Sequence, residues 1–142
     1  MVAFIDASAL IYLSAGRGPF AQKVRAMVTQ LLQEHAPLGV SMSRLSWLEC
    51  RIAPMKANDA TALAAYDAFF SRTDLLWVEL TREVVELATA IRVRHGLRTP
   101  DALQAASCLQ LGAGHVMLTG NAAFGRRAAR VPRRRVAART HL

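Results

Sequence analysis

The stretch Val2-Ala3-Phe4-Ile5-Asp6-Ala7-Ser8-Ala9-Leu10 decides the fold. Val2 to Ile5 is an unbroken apolar run that stops at an acid. A strand that is apolar at every position must be buried on both faces, which is the situation of a parallel sheet covered by crossover helices. Asp6 then falls at the carboxyl end of the first strand, where open parallel sheets form their sites.

The pattern repeats outward from this strand. After Gly16, Gly18 and Pro19, the residues Phe20, Val24, Met27, Val28, Leu31 and Leu32 recur at helical spacing, opposite Lys23, Arg25, Gln30 and Glu34; this predicts an amphipathic helix. Pro37 and Gly39 break it, a short strand is expected around Leu38 to Met42, and a further helix from near Ser43 to near Pro54. Residues 59 to 72 read as a helix with Leu63, Tyr66 and Phe70 inside, followed by a strand from Leu75 to Leu80. Thr81 caps a helix carrying Val84, Leu87, Ala88 and Ile91, and Gly96 closes it. Thr99-Pro100-Asp101 has the form of a helix start, with a capping hydroxyl, an early proline and an acid in the first turn, and that helix is expected to reach Gly112. His115 to Thr119 is a strand, Asn121 to Ala129 a short helical turn, and Val131 to Ala137 a last edge strand. Strands alternating with helices predict a central parallel α/β sheet flanked by helices.

The 142 residues suit one domain, and 53% apolar against 20% charged residues is the composition of a chain that buries a core. No apolar stretch approaches bilayer-spanning length, and Asp6 interrupts the apolar start, so neither a membrane span nor a signal peptide is expected. Cys50 and Cys108 are isolated thiols without CxxC spacing, which excludes a disulfide scaffold or zinc cluster and points to a reducing, cytoplasmic setting. The net charge of +8 is concentrated: residues 126 to 142 hold seven arginines and no acid, leaving eleven basic against ten acidic residues elsewhere. This segment reads either as a phosphate-gripping patch for nucleic acid or as a solvated terminus. No aromatics interleave with the arginines, so base stacking is not its mode.

Three acids stand out. Asp6 ends the first strand, with a helix cap for Ala7 to Leu13 as the structural alternative. Glu49 shares an i, i+3, i+4, i+7 set with Leu45, Leu48 and Ile52, an apolar face on which a carboxylate is costly unless a cation or an Arg partner relieves it. Its structural alternative is an edge position or a salt bridge to Arg44 or Arg51. Asp101 lies in a helix first turn, where the backbone dipole alone favours an anion. Acids at the mouths of three α/β elements are the oxygen ligands that Mg²⁺ or Mn²⁺ takes. The four histidines lack HExxH spacing, and no GxSxG elbow, P-loop or GxGxxG fingerprint occurs, which removes triad and dinucleotide chemistry.

The segments Phe4-Ile5-Asp6-Ala7-Ser8-Ala9-Leu10, Leu45-Ser46-Trp47-Leu48-Glu49, Leu97-Arg98-Thr99-Pro100-Asp101-Ala102-Leu103-Gln104-Ala105-Ala106 and Leu118-Thr119-Gly120-Asn121-Ala122-Ala123-Phe124 together resemble a PIN domain of the VapC toxin type, in order and spacing across nearly the whole chain. The resemblance implies a PIN-like single domain over residues 1 to 142, with residues 126 to 142 as an arginine-rich C-terminal segment. It also implies an Mg²⁺- or Mn²⁺-dependent endoribonuclease of a toxin–antitoxin pair, with RNA as substrate, a cognate antitoxin as partner and a homodimer as its state. Asp6, Glu49 and Asp101 match the family's acidic positions: Asp6 and Asp101 as principal metal ligands, Glu49 as ligand or orienter of the attacking water, with Ser8 and Thr119 holding ligands in place.

The fourth acidic position departs from the family. Asn121 stands there, and no Asp or Glu follows Asp101. An amide offers a neutral oxygen in place of a charge, which weakens a second metal most; Asn121 is thus an auxiliary member of the site or a plain turn residue. The departure, together with the arginine segment, leaves a degenerate PIN-like module that binds RNA or a partner without cutting as the other reading. The helices at 20 to 35 and 59 to 72, with Phe69 beside Phe70, carry wide apolar faces that either pack on the sheet or meet a second copy and an antitoxin helix.

Overall fold

The computed structural model describes residues 2–15, 18–35, 37–112, 115–119 and 136–140. The elements run β1 (Val2–Ile5), α1 (Ala7–Ala15), α2 (Pro19–Glu34), β2 (Gly39–Ser43), α3 (Arg44–Lys56), α4 (Ala60–Phe70), β3 (Leu75–Val78), α5 (Arg82–His95), α6 (Thr99–Leu109), β4 (His115–Thr119) and β5 (Val136–Thr140). The strands form one sheet in the order β3-β2-β1-β4-β5. Every pairing is parallel, so all carboxyl ends lie along one edge. The β1–β4 ladder pairs Ile5 with Leu118 and continues as Asp6 N–H donates to the Leu118 carbonyl at 3.1 Å.

Period-2 alternation distributes the apolar run of β1 between two cores. Ala3 and Ile5 pack with Val116, Leu118 and Met42 under α1 to α4, where Leu10, Val24, Leu31, Cys50, Tyr66 and Phe70 close the layer. Phe4 and Met117 point the other way, onto Val84, Ala88 and Ile91 of α5, Leu97, and Ala102, Ala105, Ala106 and Cys108 of α6. Phe4, Leu31, Met42, Leu97, Met117 and Leu118 are fully buried, each worth about 1.5–3 kcal/mol of apolar transfer.

Several boundaries differ from the sequence reading. Pro54 sits inside α3, which runs on to Lys56; its missing N–H removes one helical bond, and the Pro54 carbonyl accepts the Asp59 N–H beyond the helix. Thr99 does not cap α6. Arg98 occupies the cap position without a side-chain bond, and the helix ends at Leu109, not at Gly112. The strand expected from Leu75 to Leu80 stops at Val78, and the last strand begins at Val136, with residues 131–135, like Asn121 to Ala129, outside the described residues. Ser43, Asp59 and Thr81 cap α3, α4 and α5 through their side chains, and Gly96 closes α5 at φ 64°, the left-handed conformation that glycine adopts without strain.

Candidate functional site

Asp6 follows the last residue of β1 and is only 3% exposed. Its Oδ1 accepts the Ser8 hydroxyl at 2.7 Å and the Ala9 N–H at 2.9 Å, and the Thr119 hydroxyl at the end of β4 donates to the same carboxylate. The capping alternative therefore holds alongside the site placement: one carboxylate caps α1 and stands at the carboxyl edge of the sheet. Its pKa is raised to about 6: burial pushes it up most, the three donors pull it partly back, and the charge of Glu49 adds to the rise.

Glu49 lies in the second turn of α3, which starts where Ser43 Oγ accepts the Leu45 N–H at 3.1 Å. The inward face of α3 differs from the one its periodicity predicts. Leu48 and Ile52 are exposed, so they form no buried stripe with Glu49; the inward side of α3 is Ser46 and Cys50, and Glu49 flanks it half-buried. Neither suspected ion pair forms on it, because Arg44 binds Glu79 and Arg51 binds Asp67. The donor to Glu49 is neutral: Gln104 Nε2 reaches Glu49 Oε1 at 2.8 Å and Ser46 Oγ at 2.9 Å. Burial raises the Glu49 pKa, Gln104 opposes that shift, and Asp101 adds to it.

Asp101 is nearly buried in the first turn of α6, where the helix dipole favours its charge. Arg98 approaches its Oδ2 at 3.4 Å from a side chain that is 81% exposed, a pairing that solvent weakens. The parallel topology brings the starts of α1, α3 and α6 to one edge of the sheet, and α6 is tied to the start of α3 by Gln104 and by the hydrogen bond shared between Ser107 and Ser43 at 3.1 Å. Gln104 and Ser46 were not singled out in the sequence. Their signal was a lone amide among Ala102, Ala105 and Ala106, three residues after Asp101. Asn121 lies outside the described residues.

Asp6 and Glu49 repel one another, and so do Glu49 and Asp101. Such a group of desolvated acids suits a hard divalent cation by donor chemistry. Among the described residues, no three Asp, Glu, His or Cys side chains are arranged to hold one ion together. Mg²⁺ does not require that arrangement, since it keeps several waters and binds through one or two carboxylates plus substrate phosphate. The cysteines offer no competing chemistry: burial first, then the charges of Glu49 and Asp6, push the Cys50 thiol up to about 12, and burial raises Cys108 further, so neither supplies a thiolate at neutral pH.

The PIN domain family model matches residues 3–130. Among solved structures, the chain is similar to VapBC2 from Rickettsia felis bound to a promoter DNA fragment, at 12% identity and TM-score 0.72 over 100% of both chains. It is also similar to Mycobacterium tuberculosis VapC20, a sarcin-ricin loop cleaving toxin, at 19% identity and TM-score 0.68 over 87% of this chain and 93% of that one. A toxin–antitoxin complex from Klebsiella pneumoniae aligns at 20% identity and TM-score 0.63 over 92% of each. No curated protein sequence matches it.

Proposed function

The chain belongs to the PIN domain family, and from that membership and its acidic edge we propose that it is a divalent-metal-dependent endoribonuclease, the toxin of a toxin–antitoxin pair. The observation that carries this reading is the pair Asp6 and Glu49, two desolvated, mutually repelling carboxylates whose described donors are all neutral. A structural acid in that position is normally neutralised by a cationic partner. These acids are suited to a cation and a polyanionic substrate instead.

In this reading Asp6 and Asp101 hold Mg²⁺ or Mn²⁺, with Glu49 as a ligand or as the acceptor that orients the attacking water, and Asn121 as an auxiliary group. The ion, when bound, supplies an acidified water and charge stabilisation at the scissile phosphate. Ser8, Ala9 and Thr119 hold the Asp6 carboxylate by three hydrogen bonds, and no protein nucleophile is required. Arg98, exposed beside Asp101, is available to substrate phosphate.

A protein antitoxin is proposed as partner because the structural relatives include toxin–antitoxin complexes. The arginine segment adds RNA affinity through the backbone. A homodimer is proposed as well, with α3 as its surface; this is supported by Phe69 packing against the core from α4 while Trp47, Leu48, Ile52 and Met55 on α3 are 42% to 56% exposed. Among the described residues, no helix is long and apolar enough to cross a membrane.

Purified chain incubated with structured RNA tests the proposal. Cleavage supported by Mg²⁺ or Mn²⁺ and abolished by excess chelator is expected; RNA binding without any cleavage would favour the non-cutting module, and equal cleavage in chelator would refute the metal mechanism.

A further inference from the structure

Gln104 is 4% exposed on α6, whose other buried residues are Asp101, Ala102, Ala105, Ala106, Ser107 and Cys108. Both hydrogens of its Nε2 are committed, one to Glu49 Oε1 at 2.8 Å and one to Ser46 Oγ at 2.9 Å, while its Oε1 is buried without a hydrogen-bond partner. The amide orientation follows from this pairing, because the reverse would set a carbonyl oxygen against the Glu49 carboxylate. A side chain chosen for packing alone would not bury a carbonyl without a partner.

Glu49 needs a restraint. It is half-buried, rotates about three side-chain bonds, and is repelled by both Asp6 and Asp101. Left to itself, its carboxylate would lower its energy by turning outward into water. We infer that Gln104 is a positioning residue that holds the Glu49 carboxylate at the acidic edge, with Ser46 as the fixed point on which the amide is braced. It links α6, which carries Asp101, to α3, which carries Glu49, so the relative placement of the two acids depends on this amide. The inference deepens the metal-dependent reading above and rests on it.

The test is Gln104→Met, which keeps length and volume but donates nothing, studied alone and combined with Glu49→Gln, with Mn²⁺ affinity measured by titration calorimetry on folded protein. Removing a group that orients a ligand typically weakens metal binding by 10-fold to 100-fold, so about a 10-fold loss is expected for Gln104→Met in the wild-type background, with kcat falling and KM for RNA unchanged. In the Glu49→Gln background the same change should cost less than twofold, because the carboxylate it acts through is gone. Gln104→Asn, one methylene too short to bridge both partners, is expected to show the same loss and serves if the Met variant does not fold. Affinity within twofold of wild type, or an equal loss in both backgrounds, would overturn the inference while leaving the metal reading intact. A wild-type protein that binds no Mn²⁺ would overturn both.

Discussion

Asp6 Oδ1 accepts the Ala9 N–H at 2.9 Å, so the carboxylate proposed to bind the cation is also the cap of α1. The two roles separate by substitution. Asp6→Ala removes both, and loss of a capping acceptor costs about 1 kcal/mol, so that variant should melt several degrees below Asp6→Asn, which keeps the cap. Asp6→Asn retains a carbonyl oxygen for the Ala9 N–H and removes only the charge. In metal-free buffer it should melt at or above wild type, which a thermal scan checks directly.

The pKa of Asp6 sets the sign of a pH dependence. Its folded value of about 6 lies above the ordinary 3.8, so the native state binds the proton more tightly than the unfolded chain. Its contribution to metal-free stability is therefore fully present below the unfolded pKa and is lost as pH rises through the folded one, amounting to about 3 kcal/mol from a two-unit shift at 1.36 kcal/mol each. Burial raises Glu49 in the same direction. Melting in chelator should fall between pH 4 and pH 7, Asp6→Asn should flatten that fall, and excess Mn²⁺ at pH 7 should reverse it. A melting temperature that rises with pH over this window in chelator would contradict the electrostatics.

Much of this architecture was legible because Val2 to Ile5 can be apolar throughout only in a sheet covered on both sides, and Ala3 and Phe4 do face opposite cores. Thr81, Gly96 and the His115 to Thr119 strand followed from local chemistry that tertiary packing did not override. The periodicity that singles out Glu49 carries only part of its placement. Helical periodicity cannot tell an apolar face turned to the sheet from one turned to solvent, and Leu48 and Ile52 turned out to be the latter. Thr99 failed as a cap because hydroxyl identity does not determine which residue leaves helical geometry first; that residue is Arg98. Gln104 went unnoticed since its partners, Ser46 and Glu49, lie 58 and 55 residues away in sequence.

The exposed strip on α3 gives a prediction about association. Leu48, Ile52 and Met55 are spaced i, i+4, i+7, and each is at least 45% exposed, which leaves a contiguous apolar stripe of the kind that protein partners cover. Leu48→Glu with Ile52→Glu should leave the melting temperature nearly unchanged, since neither side chain is in a core, and should convert the proposed dimer to monomer in light scattering. A wild type that is monomeric at every concentration would remove the dimer and leave the strip to the antitoxin alone.

The arginine segment gives a prediction about salt. Strand β5 pairs with β4 from His115–Val136 to Thr119–Thr140, so replacing Arg133, Arg134 and Arg135 by Gln leaves that pairing intact. If all three neutralise phosphates, the slope of log affinity against log salt for single-stranded RNA should shrink by about 2, at roughly 0.7 per contact. An unchanged slope would assign the segment to solubility.

If Asp6 at the carboxyl edge of the sheet acts with a divalent cation on RNA, single-turnover cleavage in Mg²⁺ separates wild type from Asp6→Asn. The Asn form, folded and as stable as wild type, is expected to cut RNA at least about 1,000-fold more slowly, a loss of about 4 kcal/mol in transition-state stabilisation. Cleavage by folded Asp6→Asn at the wild-type rate would contradict it.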